Sequence, residues 1–139
     1  MNSILIIDDE EKLRQLLKRI ISLEGFEVSE AGTLKEGLRW MEKETPDVIL
    51  CDVKLPDGNG VDFVKDIKTR HPAAEIILLT AYGNIADGVQ AMRNGAFDYI
   101  TKGDDNDKII PLLHRALDKV LLSKKLEQLQ KQVGQKYSF

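Results

Sequence analysis

The chain has 139 residues, 42% of them hydrophobic and 31% charged, a globular composition rather than a disordered, collagen-like or disulfide-stapled one. That length suits one domain, which can bury roughly two-thirds of the surface its unfolded chain exposes. Twenty-three acidic residues against 20 basic ones leave a net charge of −3, so no broad positive field exists to neutralise a phosphate backbone, and direct nucleic-acid binding is not expected.

Five short runs rich in Ile, Val and Leu predict strands at residues 4–7, 26–28, 48–51, 76–79 and 97–100. Amphipathic stretches separate them. In the first, Leu13, Leu16, Leu17, Ile20 and Ile21 form a helical stripe just after the acidic cluster Asp8, Asp9, Glu10 and Glu11, and Gly25 stops it. The second helix is predicted from its N-cap Thr33 to about Glu44, ahead of Thr45 and Pro46. A turn marked by Pro56, Gly58 and Gly60 leads into the third, which ends near His71 and Pro72. The fourth lies between Asn84 and Asn94 and closes at Gly95. Strands of about five residues alternating with helices imply right-handed crossovers and a parallel sheet covered on both faces.

The last helix follows GDDND, with Pro111 in its first turns. Ile109, Leu113, Ala116, Leu117, Val120 and Leu121 are predicted to pack on the domain. Leu122, Leu126, Leu129 and Val133 then continue at spacings of 4, 3 and 4, a short heptad seam, before Gly134 ends the helix. Residues 1–121 thus read as one domain and 122–139 as a helical linker suited to coiled-coil dimerisation. The lone Cys51 allows no internal disulfide and sits in an apolar run, as a buried thiol would in a reducing compartment. MNSILIIDDE lacks a basic signal-peptide start, and no apolar run approaches the ~20 residues that cross a bilayer, so a cytoplasmic location is expected.

Ligands of open parallel sheets sit outside the carboxyl ends of the strands. Here those ends carry Asp8 and Asp9, Asp52, Thr80 and, after the fifth strand, Lys102. Each has an ordinary alternative: helix-terminal charges for Asp8 and Asp9, a loop residue for Asp52, a strand cap for Thr80, a solvated charge for Lys102. Their convergence on one rim points elsewhere. Clustered carboxylates repel unless a hard divalent cation joins them, and magnesium is the natural choice. Asp52 then suits a carboxylate nucleophile, Lys102 a charge partner for a transferred phosphoryl group, and Thr80 a hydroxyl donor to it. His71 and His114 read as surface residues.

The segments ILIIDDE, CDVKLPDGNG, LLTAYG and GAFDYITK, in this order and spacing over residues 1 to about 122, resemble the receiver family of two-component response regulators. The resemblance implies a doubly wound α/β fold with strand order 2-1-3-4-5. It implies Asp52 as the acceptor of a phosphoryl group from a sensor histidine kinase, and Asp8 and Asp9 with the Lys54 carbonyl on the magnesium side. Thr80 and Lys102 become phosphoryl contacts, and Tyr99, with Thr80, the switch. One departure stands out. The family usually follows its lysine with a cis proline, whereas here Lys102 precedes Gly103, where a cis bond would cost ~2.5–4 kcal/mol.

The stretch TAYGNIADGVQAMRNGAFDYITK and the long last helix most resemble receivers of nitrogen-regulator type. These precede an ATPase domain and a DNA-binding domain in activators of the alternative sigma factor, and their linker helix commonly joins two receivers. The tail QKYSF resembles the entry to such an ATPase domain. Two other functions share some of these residues. A phosphohydrolase of the haloacid-dehalogenase type needs an Asp-x-Asp motif after its first strand, where this chain has Asp8-Asp9-Glu10. A phosphorylation-independent interaction domain would keep the fold without needing the intact residue set.

Overall fold

The structure, a computed structural model, describes residues 2–81, 83–102 and 106–136, and of residues 106 and 133–136 the backbone alone. Five parallel strands form the central sheet: β1 (Ser3–Ile7), β2 (Glu27–Ala31), β3 (Val48–Asp52), β6 (Glu75–Thr80) and β7 (Asp98–Thr101). Their order is β2-β1-β3-β6-β7, the predicted 2-1-3-4-5 arrangement once the small hairpin β4 (Lys54–Leu55) and β5 (Gly58–Asn59) is set aside. The helices are α1 (Glu11–Leu23), α2 (Leu34–Lys43), α3 (Gly60–Arg70), α4 (Ile85–Asn94) and α5 (Ile109–Lys136), the last preceded by a 3₁₀ turn over Asn106–Lys108.

Strands β3 and β6 are buried along their whole length, because helices cover both faces of a parallel sheet. One core joins Leu5, Ile7, Ile49, Ile76 and Leu78 to α3 residues Phe63, Val64 and Ile67. The other joins Ile4, Ile6, Leu50, Ile77 and Leu79 to Leu17 and Ile21 of α1 and to Leu113, Ala116 and Leu117 of α5. Local signals place the helix ends. Thr33 accepts the Glu36 N–H at 3.1 Å as N-cap, Asn59 and Asn84 cap α3 and α4, and Gly95 takes the left-handed turn that closes α4.

Several expectations are corrected. Strand β2 runs Glu27–Ala31, so Phe26 falls outside it and packs by its ring against His114, with centroids 5.4 Å apart. The fifth sheet strand likewise begins at Asp98. Leu16 and Ile20 are exposed, since only the arc through Leu17 and Ile21 meets the sheet. On α5 the buried face runs through Ile109, Leu112, Leu113, Ala116, Leu117 and Val120, at successive spacings of 3, 1, 3, 1 and 3 residues. Leu121, about 100° around from Val120, is exposed instead of packed. The backbone of α5 also continues through Gly134 to Lys136.

The PDG segment folds as a hairpin rather than a plain turn, with Lys54 opposite Asn59 and Leu55 opposite Gly58. Where it re-enters α3, a methyl built on Gly60 would lie 2.3 Å from the Asp52 carbonyl oxygen. Gly60→Ala is therefore expected to lower unfolding free energy by about 1–3 kcal/mol in urea titration, as overpacking typically does.

Candidate phosphoacceptor site

Four strand ends build the site. Asp8 follows β1 and donates its N–H to the Ala31 carbonyl at 3.0 Å, Asp52 ends β3, Thr80 ends β6, and Lys102 follows β7. The Lys102 N–H reaches the Thr80 carbonyl at 2.7 Å, tying the last two together. Asp8 is 0% exposed and Asp52 6%. Two carboxylates are thus held out of water beside each other, a costly arrangement without a cation.

Lys102 supplies one. Its Nζ lies 2.9 Å from Asp52 Oδ2, as donor in a hydrogen bond, and 2.9 Å from Asp8 Oδ2. The second contact has the distance of an ion pair without the alignment of a hydrogen bond, which leaves Asp8 Oδ2 buried with no hydrogen-bond donor among the described residues. Glu10, a neighbour the sequence did not single out for the site, stands 3.8 Å from the same ammonium. The remaining oxygens are also held: Asp8 Oδ1 accepts the Glu10 N–H at 2.8 Å, and Asp52 Oδ1 accepts the Lys54 N–H at 3.3 Å. Arg14 braces the turn from outside, donating to the Asp8 carbonyl at 2.7 Å.

Burial pushes the Asp52 carboxyl above its ordinary range, and the charge of Asp8 adds to the rise while Lys102 and the Lys54 N–H oppose it. For Lys102, burial disfavours the charged form, but its close contacts with the Asp8 and Asp52 carboxylates prevail and its pKa is raised. Burial, with Asp52 next, drives the Cys51 thiol far up, so it stays protonated and donates to the Asp52 carbonyl at 3.3 Å.

The donor set fits magnesium. One carboxylate oxygen each from Asp8, Asp9 and Asp52 lie within 4.8 Å of one another, Asp9 from the exposed side, and Asp8 Oδ2 is buried with no hydrogen-bond donor among the described residues, a set of hard oxygens such a cation takes. Asp9, Glu10, Asp52, Lys54, Thr80, Ala81 and Lys102 line a cleft of about 200 Å³ over them. Lys54 is on that rim. The Lys102–Gly103 peptide lies outside the described residues.

Residues 4–114 match the response regulator receiver domain. The chain belongs to the response regulator receiver family. It is 34% identical over 129 residues to the regulatory protein AtoC of Escherichia coli (strain K12), covering 93% of this chain and 28% of that protein. It is also 34% identical over 112 residues to the DNA-binding transcriptional regulator NtrC of Proteus hauseri, covering 81% of this chain and 24% of that one. The receiver thus spans about a quarter of these curated relatives. Among solved structures it is similar to the beryllofluoride-activated NtrC4 receiver domain dimer, with TM-score 0.82 and 30% identity over 86% of this chain and 99% of that one. Similarity to NtrX from Brucella abortus in complex with ADP gives TM-score 0.85 and 31% identity over 93% of this chain and 30% of that one. This is a receiver related to those of NtrC-type activators.

Tyr99, on β7, lies half-buried beneath α4, where a methyl built on Gly88 would touch its ring at 3.4 Å. Its hydroxyl is buried and has no hydrogen-bond partner among the described residues. An open groove of about 870 Å³ runs beside it, lined by Ile85, Val89 and Met92 among others.

The raised Asp52 pKa fixes a sign. The folded protein holds that proton more tightly than the unfolded chain, so Asp52 costs stability once pH rises through its folded value and nothing below the unfolded value near ~3.9. In chelator, Asp52→Asn should melt higher than the parent receiver at pH 7, with the gap closing by about pH 3. A lower melting temperature at pH 7 would refute this balance.

Proposed function

We propose that this receiver takes a phosphoryl group on Asp52 from the phosphohistidine of a sensor kinase and passes the change to an output through α4, β7 and α5. The observation that carries the reading is the Asp52 carboxylate at the end of the central strand, with Lys102 at 2.9 Å and Asp8 and Asp9 alongside. In the transfer an Asp52 oxygen attacks phosphorus as the bond from phosphorus to the imidazole nitrogen breaks, and the imidazole leaves with the electron pair. Lys102 then exchanges part of its carboxylate contact for a phosphoryl oxygen, and the Thr80 hydroxyl donates to another. Magnesium, held by Asp8, Asp9, Asp52 and the Lys54 carbonyl, would supply charge neutralisation at the transferred group. Apart from its own phosphorylation and dephosphorylation the domain needs no catalytic activity.

Thr80 and Tyr99 form the switch. Tyr99 sits inward with an unsatisfied hydroxyl, which costs roughly 1–3 kcal/mol, so an outward ring in the adjoining groove lies close in energy. A phosphoryl group that draws Thr80 inward biases that pair of states.

The output end is α5, with residues 1–121 as the receiver and 122–139 as the linker. Leu122, Leu126 and Leu129 stand 58%, 52% and 47% exposed on one helix face, as a dimer seam requires; the side chain of Val133, the fourth seam position, lies outside the described residues. A second copy of the same helix is the simplest cover, giving a two-fold homodimer. By likeness to AtoC and NtrC, the setting is a cytoplasmic transcription activator whose ATPase and DNA-binding domains lie beyond this segment. No helix of the described residues is long and apolar enough to cross a membrane.

With acetyl phosphate and magnesium the receiver should gain one phosphoryl mass, whereas Asp52→Asn, or the parent protein in chelator, should gain none. Undiminished labelling of Asp52→Asn would sink the acceptor assignment. Placing Glu at both Leu126 and Leu129 should give a monomer in sedimentation while labelling continues, and a double variant sedimenting like the parent in both phosphorylation states would end the linker-dimer reading.

A further inference from the structure

We propose that Asp57 is a positioning residue for the phosphoacceptor site, clasping the loop after β3 to the first turn of α2 and so fixing Lys54 and the site's grip on magnesium. The inference rests on the reading of Asp52 as acceptor and of the Lys54 carbonyl as a metal ligand. A helix begins with backbone N–H groups that have no intrahelical partner. In α2 the Thr33 hydroxyl takes the Glu36 N–H, and two more are taken from far along the chain: Asp57 Oδ1 accepts from Leu34 at 2.9 Å and Oδ2 from Lys35 at 3.0 Å. These N–H bonds, Leu34's first, hold the Asp57 carboxyl below its ordinary range, so it is charged at neutral pH.

The clasp continues into the hairpin. A methyl built on Gly58 would lie 2.7 Å from Leu34 Cδ1, so the hairpin tip rests directly on α2, and Leu55 and Leu34 pack against the same core. At the hairpin base the Gly60 N–H bonds the Val53 carbonyl at 2.8 Å, and Lys54 opposite Asn59 gives its N–H to Asp52 Oδ1 at 3.3 Å. An unbroken series of contacts therefore runs from the α2 terminus through Asp57 and the hairpin to Lys54 and the acceptor carboxylate. Asp57 and its two hydrogen bonds to α2 are solvent-exposed, so loss of the clasp leaves no buried polar group without a partner. It frees the loop that carries Lys54. Outer partners of a metal site that orient its ligands typically govern about 10–100-fold in affinity.

The test is a magnesium titration of the full chain without phosphodonor, followed by backbone amide shifts, for the parent protein, Asp57→Ala and Asp57→Asn. Asp57→Ala should raise the magnesium Kd about tenfold, and Asp57→Asn, which keeps one acceptor oxygen, by less. The Leu34 and Lys35 amides should lose hydrogen-exchange protection while the β3 and β6 amides keep theirs. A Kd within about twofold of the parent in Asp57→Ala overturns the proposal, and should that variant not fold, the same result in Asp57→Asn overturns it. Absence of any magnesium response in the parent protein would instead overturn the metal reading, and the clasp's role with it.

Discussion

Two carboxylates held out of water at neighbouring strand ends, with one ammonium between them, are the constraint on which this receiver depends. A buried charge is costly unless it is paired, and burial pushes the Asp52 carboxyl above its ordinary range. Lys102 compensates by standing 2.9 Å from both. A buried ion pair of this kind is weak evidence for stability, because desolvation offsets much of the attraction. Its persistence is better explained by use: a site in which charge is already unbalanced responds strongly to a phosphoryl group or a divalent cation.

That imbalance explains why the backbone around the site is so fully tied. The chain turns sharply after Asp8 and again after Asp52, and at each turn a carboxylate oxygen accepts the N–H two residues on. These short loops hold Asp52 by its own neighbours, so its oxygens are oriented before any ligand arrives. The bond from the Lys102 N–H to the Thr80 carbonyl carries the same order across to β7, where Tyr99 lies three residues before Lys102. Asp52 therefore has closely tied connections on one side and, across β6, the Tyr99 ring with a buried hydroxyl that has no hydrogen-bond partner among the described residues on the other.

Much of this was legible in the sequence, for reasons that particular residues show. Thr33, Asn84 and Gly95 act within a few residues of themselves, so the chain alone specifies those helix ends. Asp8, Asp52, Thr80 and Lys102 were legible because a parallel sheet brings the carboxyl ends of its strands to one rim. The extent of burial was not. Period identifies which residues share a helix face, but the width of the covering neighbour decides that Leu17 is buried and Leu16 is not, or Val120 and not Leu121. Contacts between distant segments were equally hidden, such as Asp57 capping a helix 23 residues earlier. Glu75 begins an apolar strand as an ordinary charged residue, yet it is 2% exposed and paired with Lys68 at 3.3 Å and Lys119 at 3.2 Å.

The Glu75 pairs bear on how α5 is attached to the domain. Lys119 meets Glu75 at the start of β6, and Lys124 meets Asp47, just before β3, at 3.0 Å. Both anchors lie at the end of the sheet opposite Asp52, so strand β3 carries Asp52 at one end and adjoins an attachment of α5 at the other. The Lys124 contact is exposed on the lysine side and worth no more than about 1 kcal/mol, whereas buried Glu75 depends on its lysines for compensation. The helix is thus held firmly as far as Lys119 and loosely at Lys124, and the described side chains beyond it, residues 125–132, are all exposed. A helical segment of that length is marginal in water unless its apolar face is covered. Its backbone stays helical to Lys136 with Leu126 and Leu129 exposed, so this stretch lacks the covered face that holds the helix from Ile109 to Val120.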